Sequence, residues 1–239
     1  MKKTLMCLAL ALTPFASQAS EANKISYSYA ELDYVHKDVP NAATNEPGSN
    51  SKGFALRGSI GVGEQFFLTA SYGKEKLDNW NSQSRAAFNQ ANPGRNNTAG
   101  LPRAKVNNSI GTWTLGVGHA MPMGGYDWVT QLAYVRESWD IDLKPLVAND
   151  PDPALAALAN VRFKDSFGGY DASTGVRGRL GDSVIGNAYF GYRDMKSASG
   201  SMYADLGLEF QFNESWSWTG KVRLTDGLSE LGTGLRWTF

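Results

Sequence analysis

The stretch LGTGLRWTF, residues 231–239, decides the reading of the fold. Leu231, Thr233, Leu235, Trp237 and Phe239 fall on one side of an extended chain, and Gly232, Gly234, Arg236 and Thr238 on the other. A repeat of two residues is the signature of a strand and not of a helix. The strand is amphipathic and closes the sequence, so it is expected to pair with the first strand of the chain. Left uncovered in a soluble domain it would be a liability. A barrel in a membrane needs such a strand, because closure leaves no backbone edge facing hydrocarbon.

Working back from residue 231, the alternation recurs. Residues 216–225 set Trp216, Trp218, Val222 and Leu224 against Thr219, Lys221 and Arg223, and 202–212 set Ala204, Leu206, Leu208, Phe210 and Phe212 against Asp205, Glu209 and Gln211. Residues 184–194 oppose Ala188, Phe190 and Tyr192 to Asn187, Tyr189 and Arg193. Residues 166–180 oppose Tyr170, Ala172, Thr174, Val176 and Leu180 to Asp171, Ser173, Arg177 and Arg179. The pattern continues through 126–138 (Trp128, Leu132 and Tyr134 against Gln131 and Glu137) and 109–120 (Trp113, Leu115 and Val117 against Thr112 and Thr114). It is found again in 66–77 (Phe66, Leu68, Ala70 and Tyr72 against Thr69, Ser71 and Glu75) and in 53–63 (Phe54, Leu56, Ile60 and Val62 against Ala55, Arg57 and Ser59). The first strand, 24–36, carries Glu31 and Asp33 on one face with Ile25, Tyr27 and Tyr29. Carboxylates avoid hydrocarbon, so that face is expected inside.

The expected fold is therefore all-β, a closed antiparallel transmembrane β-barrel of ten strands, with eight as the alternative count. Short turns at 63–65, 121–125, 181–183 and 213–215 alternate with connections at 37–52, 78–108, 139–165, 195–201 and 226–229. A polar connection as long as 78–108 is out of place in a compact soluble domain, but ordinary on the outer side of a barrel whose inner turns are short. Within 139–165, Asp152 then Pro153 then Ala154-Leu155-Ala156-Ala157-Leu158 reads as an N-cap, a first-turn proline and a short helix. Phe66, Tyr126, Trp128, Phe212, Trp216, Trp218, Trp237 and Phe239 gather near the short turns. An aromatic girdle at a membrane interface gathers in this way.

Residues 1–19 read as a signal peptide: Lys2 and Lys3, an apolar run from Leu5 to Phe15, then Ser17-Gln18-Ala19 as a small-x-small cleavage site. The run is well short of the roughly 20 residues that span a bilayer as a helix. Residues 20–239 form the expected barrel domain. The single cysteine, Cys7, falls in the leader, so the mature chain has neither disulfide nor thiol chemistry. Loss of Lys2 and Lys3 from 23 basic residues, against 23 acidic ones, leaves a slightly acidic protein with no mark of nucleic-acid binding. Mean hydropathy is −0.34, yet the chain holds 7 Trp, 10 Tyr and 11 Phe. Low average hydropathy with many aromatics suits a barrel in which every second residue meets lipid.

The inward faces collect Arg57, Glu75, Glu137, Asp171, Arg177, Arg179, Arg193, Asp205, Glu209, Lys221, Arg223 and Arg236, with Glu31 and Asp33. Two signs in similar number can line a narrow diffusion pore or pair and fill the interior. Ten strands lie just above the eight whose side chains fill a lumen, which favours filling. No catalytic, cofactor or metal residues are expected. His36 and His119 fall at opposite ends of the barrel, without a spaced Ser or Asp to make a triad. Asp140-Ile141-Asp142 and Asp150-Pro151-Asp152 lack a calcium-loop ligand series. Asn96-Asn97-Thr98 formally matches a glycosylation acceptor and reads as loop sequence.

The segments SKGFALRGSIGVGEQFFLTASYGKEKLD, WTLGVGHAMP, GYDASTGVRGRLGD, AYFGYRDM and YADLGLEFQFNESWSWTGKVRLTDG resemble a family of small proteobacterial outer-membrane β-barrel proteins. The resemblance implies a Gram-negative outer-membrane location among membrane lipids and lipopolysaccharide. It also implies recognition of the last strand, ending on Phe239, by the outer-membrane assembly machinery. It carries over no catalytic residue. The expected role is structural or surface-interacting, with loops 78–108 and 139–165 as the candidate ligand surface. A narrow porin-like channel and a rim-located hydrolase are the alternatives.

Overall fold

Strands with one oily and one polar face have nowhere to put both in a flat sheet, and the computed structural model resolves this by closing the sheet on itself. The structure describes residues 25–39, 49–77, 104–145, 162–196, 198–225 and 228–239. The leader expected over 1–19, the helix expected after Asp152, the Asp150–Asp152 acids and Asn96-Asn97-Thr98 lie outside these residues. The described residues form ten strands: β1 (Tyr29–Val39), β2 (Ser49–Val62), β3 (Phe66–Leu77), β4 (Ala104–Pro122), β5 (Tyr126–Pro145), β6 (Arg162–Gly181), β7 (Val184–Met195), β8 (Ala198–Gln211), β9 (Trp216–Thr225) and β10 (Leu228–Thr238). Each pairs antiparallel with its sequence neighbours, and β1 closes on β10 with Leu32 opposite Leu235 and Glu31 opposite Arg236. Even spacing of hairpins makes one end of the barrel the short-turn end and the other the loop end. Gly63 and Gly124 sit in two of the short turns at φ of 68° and 89°, where a side chain would be strained.

The facing follows the alternation. Leu32, Leu56, Leu68, Leu115, Leu132, Leu206 and Leu235 are half exposed on the outer wall, whereas Glu31 and Asp33 are 2% and 0% exposed within. Such an inverted burial is unstable in water and stable in lipid. At the short-turn end the outer wall carries Phe66, Tyr126, Trp128, Phe212, Trp216, Trp218, Trp237 and Phe239, all exposed. Phe210 stacks on Trp218 and Trp237 packs against Phe239. A second girdle, absent from the sequence reading, rings the loop end. There Tyr34 meets Phe54, and Trp113, Tyr134 and Tyr170 form a chain of ring contacts at 5.4 and 5.8 Å.

Strand boundaries differ from the expectation in one direction. The connections read as 37–52, 78–108, 139–165, 195–201 and 226–229 are all shorter, because β1 runs to Val39, β2 starts at Ser49, and β4 starts at Ala104. In the same way β5 runs to Pro145, β6 starts at Arg162, β8 at Ala198 and β10 at Leu228. Strands β4, β5 and β6 have 19, 20 and 20 residues, about twice the span a tilted strand needs to cross a bilayer. Their loop-end halves therefore stand in water. A strand wetted on both faces no longer puts its apolar residues on the lipid-facing phase, as at Trp139, Ile141 and Leu143 of β5, which is why such strand sequence passes for loop. The first strand also starts later than expected, at Tyr29 and not at residue 24, because residues 25–28 leave the wall and turn inward.

Candidate functional site in the lumen

The lumen is crossed by a ladder of alternating charge. From the short-turn end, Arg177 donates to Glu209 at 2.9 Å, and Arg236 donates to the same carboxylate oxygen at 2.6 Å. Arg236 Nε also donates to Glu31 at 2.6 Å, and Lys221 bridges Glu31 to Asp33, reaching the latter at 3.3 Å. Arg57 pairs with Asp33 at 2.6 Å and approaches Glu230 at 3.8 Å. Lys37 joins Glu230 at 3.6 Å and donates to Glu75 at 2.6 Å. Cation and anion thus alternate over ten residues drawn from seven strands and the full height of the interior. Ser217 and Ser51 donate to the remaining oxygens of Glu209 and Glu75, so each acid at the ends of the ladder keeps more than one partner. Buried charges without such partners would be costly.

Two further pairs stand beside the ladder. Arg193 donates to Asp171 at 2.8 Å, and Tyr203 donates to the other oxygen of Asp171. Arg223 grips Asp205 through two hydrogen bonds of 2.6 and 2.7 Å while lying 4.2 Å over the Tyr203 ring. Arg236 lies 3.9 Å over Tyr29 in the same manner, so the guanidinium faces are covered as well as their edges.

The sequence-derived interior set is distributed as follows. Arg57, Glu75, Arg177, Glu209, Lys221 and Arg236 enter the ladder, and Asp171, Arg193, Asp205 and Arg223 form the flanking pairs. Glu137 sits opposite Thr112, apart from both. Arg179 is at the short-turn rim, donating to the Asp182 carbonyl and to Gln211. Lys37, Tyr203 and Glu230 were missed: Lys37 lies in a strand end that reads as loop, Glu230 falls between the 226–229 connection and the closing strand, and Tyr203 is an aromatic among polar neighbours. Their period-two spacing from Asp33, Asp205 and Arg236 was the available signal.

The short-turn mouth is closed by aromatic packing. Residues 25–28 cross it, and Tyr27 stacks on Phe67 with ring centroids 4.7 Å apart. The Tyr27 hydroxyl donates to Asp127 at 2.8 Å, and Arg177 donates to the Ser26 carbonyl at 3.2 Å. Phe67, Ala120 and Val129 are buried beneath, with Tyr189 against them. Phe67 fits because its neighbour Gly118 has no side chain: a Cβ there would lie 2.1 Å from the ring. Above this plug, the half of the lumen not taken by the ladder keeps a chamber of about 270 Å³, with Thr69, Ser71, Thr112, Thr114, Gln131 and Ser173 on its neutral wall.

His36 and His119 stay far apart. His36 lies near the loop end beside Asp38, and His119 contacts Gln65 and Phe66 at the short-turn end. Asp140 is taken up by Arg162, which donates to both of its oxygens at 2.9 and 2.5 Å, with Lys164 at 3.8 Å. Beyond the loop-end girdle, those hydrogen bonds hold the Asp140 carboxyl below its usual 3.8. Its folded value being lowered, the contribution to the β5–β6 ribbon is present above that usual value and lost as pH falls through the lowered one. Amide exchange in the loop-end halves of β5 and β6 is expected to quicken on acidification below pH 3.8 while the belt stays protected; unchanged exchange would show the pair to be idle.

No family model matches the chain, and no curated protein does. Among solved structures, the translocator domain of the autotransporter NalP from Neisseria meningitidis aligns at 11% identity over 89% of this chain and 88% of its own, with a TM-score of 0.51. Ail, the attachment invasion locus protein of Yersinia pestis, solved with the heparin analogue sucrose octasulfate, aligns at 10% identity over 88% and 97% with a TM-score of 0.40. Neisserial surface protein A aligns at 14% identity over 90% and 98% with a TM-score of 0.38. The likeness to the NalP translocator is one of fold, and it agrees with the lipid-facing belt and closed register described above. The chain is a closed ten-stranded antiparallel β-barrel of the transmembrane kind.

Proposed function

We propose that this barrel is a non-enzymatic outer-membrane protein, closed to solutes, that works through the surface its loop end presents to the outside. The observation that carries the proposal is the filled lumen: a ladder from Arg177 to Glu75 in which each charge meets its opposite, above a mouth plugged by Tyr27 on Phe67. A conducting pore would leave one sign unpaired along a wet path. The β4–β6 ribbon standing beyond the bilayer supports a surface role, since protein that does not span must act on something outside. Lipopolysaccharide around the belt, recognition of β10 and Phe239 by the assembly machinery, and a ligand for loops 78–108 and 139–165 belong to the same proposal.

Planar-bilayer recording tests it. The wild-type protein is expected to give no steady openings, and the Tyr27→Ala/Phe67→Ala double variant is expected to give small ones, because the neutral chamber would then run through to the short-turn mouth. Steady wild-type openings would overturn the closed reading in favour of the second one, a narrow passage for small solutes. That second reading rests on the hydroxyl-lined chamber itself.

A further inference from the structure

Just beyond the loop-end girdle, one rung of outward positions crosses five strands. Lys52, Lys76, Ser109, Asp140 and Lys164 are successive register partners on β2, β3, β4, β5 and β6. One rung nearer the membrane Lys74 stands between Phe54 and Gly111, and one rung nearer still Arg136 stands between Trp113 and Gly168. All five basic side chains are exposed. The row's acid, Asp140, is held by Arg162, so the face keeps a positive sign. At about 4.8 Å between strands, five strands make a face about 20 Å wide.

The face is shaped as well as charged. Between the lysines of β2–β3 and the cations of β5–β6, the floor is Ser109, Gly111 and Gly168. Tyrosine hydroxyls rise toward it from the girdle: Tyr134 Oη lies 2.5 Å from where a Gly168 Cβ would be, and Tyr72 Oη 3.9 Å from that of Gly111. Directly below lie the exposed Leu56, Leu115 and Leu132 of the belt. The flanking strands differ, with Asp38 on β1 and Asp194 on β7 exposed at the two edges of the face.

We propose that this face of β2–β6 docks a single lipid of the outer leaflet, one whose headgroup carries phosphates on sugar rings. Its phosphates sit among Lys74, Lys76, Arg136 and Lys164, its sugar on the small-residue floor, and its acyl chains along the belt. A free phosphate would use the cations and nothing below them. A lipid uses all three layers, and basic clusters at a headgroup level are suited to anionic lipids. The site rests on the outer-membrane reading above.

The test compares wild-type barrel, the Lys74→Gln/Lys76→Gln/Arg136→Gln variant and the control Arg179→Gln at the short-turn rim, the opposite end of the barrel, each folded in neutral detergent. Each is titrated with diphosphorylated lipid A, with its dephosphorylated form, and with inorganic phosphate as competitor. Wild type and the control should bind diphosphorylated lipid A alike. The triple variant should bind it on the order of a hundredfold more weakly, since each basic residue near an anionic lipid surface is worth about a factor of five. Dephosphorylated lipid A should bind wild type poorly, and excess inorganic phosphate should not displace the lipid. Equal binding by the triple variant, or of the dephosphorylated lipid, would overturn the site; displacement by inorganic phosphate would make it a simple anion site. Heat-dependent gel mobility is read in parallel. A variant that folds yet binds normally refutes the site alone, whereas a wild-type chain that never folds in detergent refutes the membrane reading beneath it.

Discussion

Glu31→Ala is expected to destabilise the barrel by about 3–5 kcal/mol, the range for removing one partner from a buried ion pair. Glu31 is 2% exposed and is shared by Lys221 and Arg236. Its loss leaves two cations facing each other at the middle of the ladder, each with a remaining acid that already serves a second base: Asp33 serves Arg57, and Glu209 serves Arg177. Glu31→Gln should be nearly as severe, because the shape survives but the charge does not. Asp205→Asn is the comparison. Its pair with Arg223 is flanking and about a quarter exposed, so water can replace part of what is lost, and the cost should be clearly smaller. Urea titration of the barrel in lipid vesicles, followed by tryptophan emission and gel mobility, measures both. Equal losses would mean that the ladder is not a coupled unit.

The second large effect lies on the other face. Leu208→Arg should cost about 2–4 kcal/mol in the same titration if the position is near midplane, because a guanidinium on the lipid side must snorkel or stay unsolvated. Leu208 is 44% exposed on the outer wall of β8, between Gly186 and Gly220. Ser173→Arg, the matched change on the inner face of β6, should be far milder, since Ser173 lines the open chamber where a long side chain finds room and polar neighbours. A comparable loss at both positions would contradict the assignment of faces on which the membrane location depends.

The two experiments probe features of different legibility. The facing of Leu208 and Ser173 was readable in the chain because it is local: successive side chains of a strand point opposite ways, and hydrocarbon accepts only one kind. The same rule made the strand count, the closing role of 231–239 and the girdle at the short turns legible. It failed where water replaced lipid. Past the belt the apolar residues leave the lipid-facing phase, as in β5 where Trp139, Ile141 and Leu143 alternate with Asp140, Asp142 and Lys144 in the opposite phase, so the loop-end halves of β4, β5 and β6 read as loop. Lys37 on β1 and Glu230 on β10, the links that carry the ladder to the loop end, lay beyond the strands as read.

What pairs with what was beyond the sequence for another reason. Arg236 and Glu31 are separated by 205 positions, Lys221 and Glu31 by 190, and alternation says only that both point inward. Closing the barrel fixes the register, and register alone decides which inward charges become neighbours. The plug of Tyr27 on Phe67 needs the chain before β1 to turn across the mouth, and the basic face needs Lys52, Lys76, Ser109, Asp140 and Lys164 to fall on one rung. The chain by itself determined the side of the wall on which each residue lives, because that depends on the residue and its immediate neighbours. The tertiary structure decided the partners, because ion pairing and headgroup-sized surfaces depend on distances that only the closed register brings within reach.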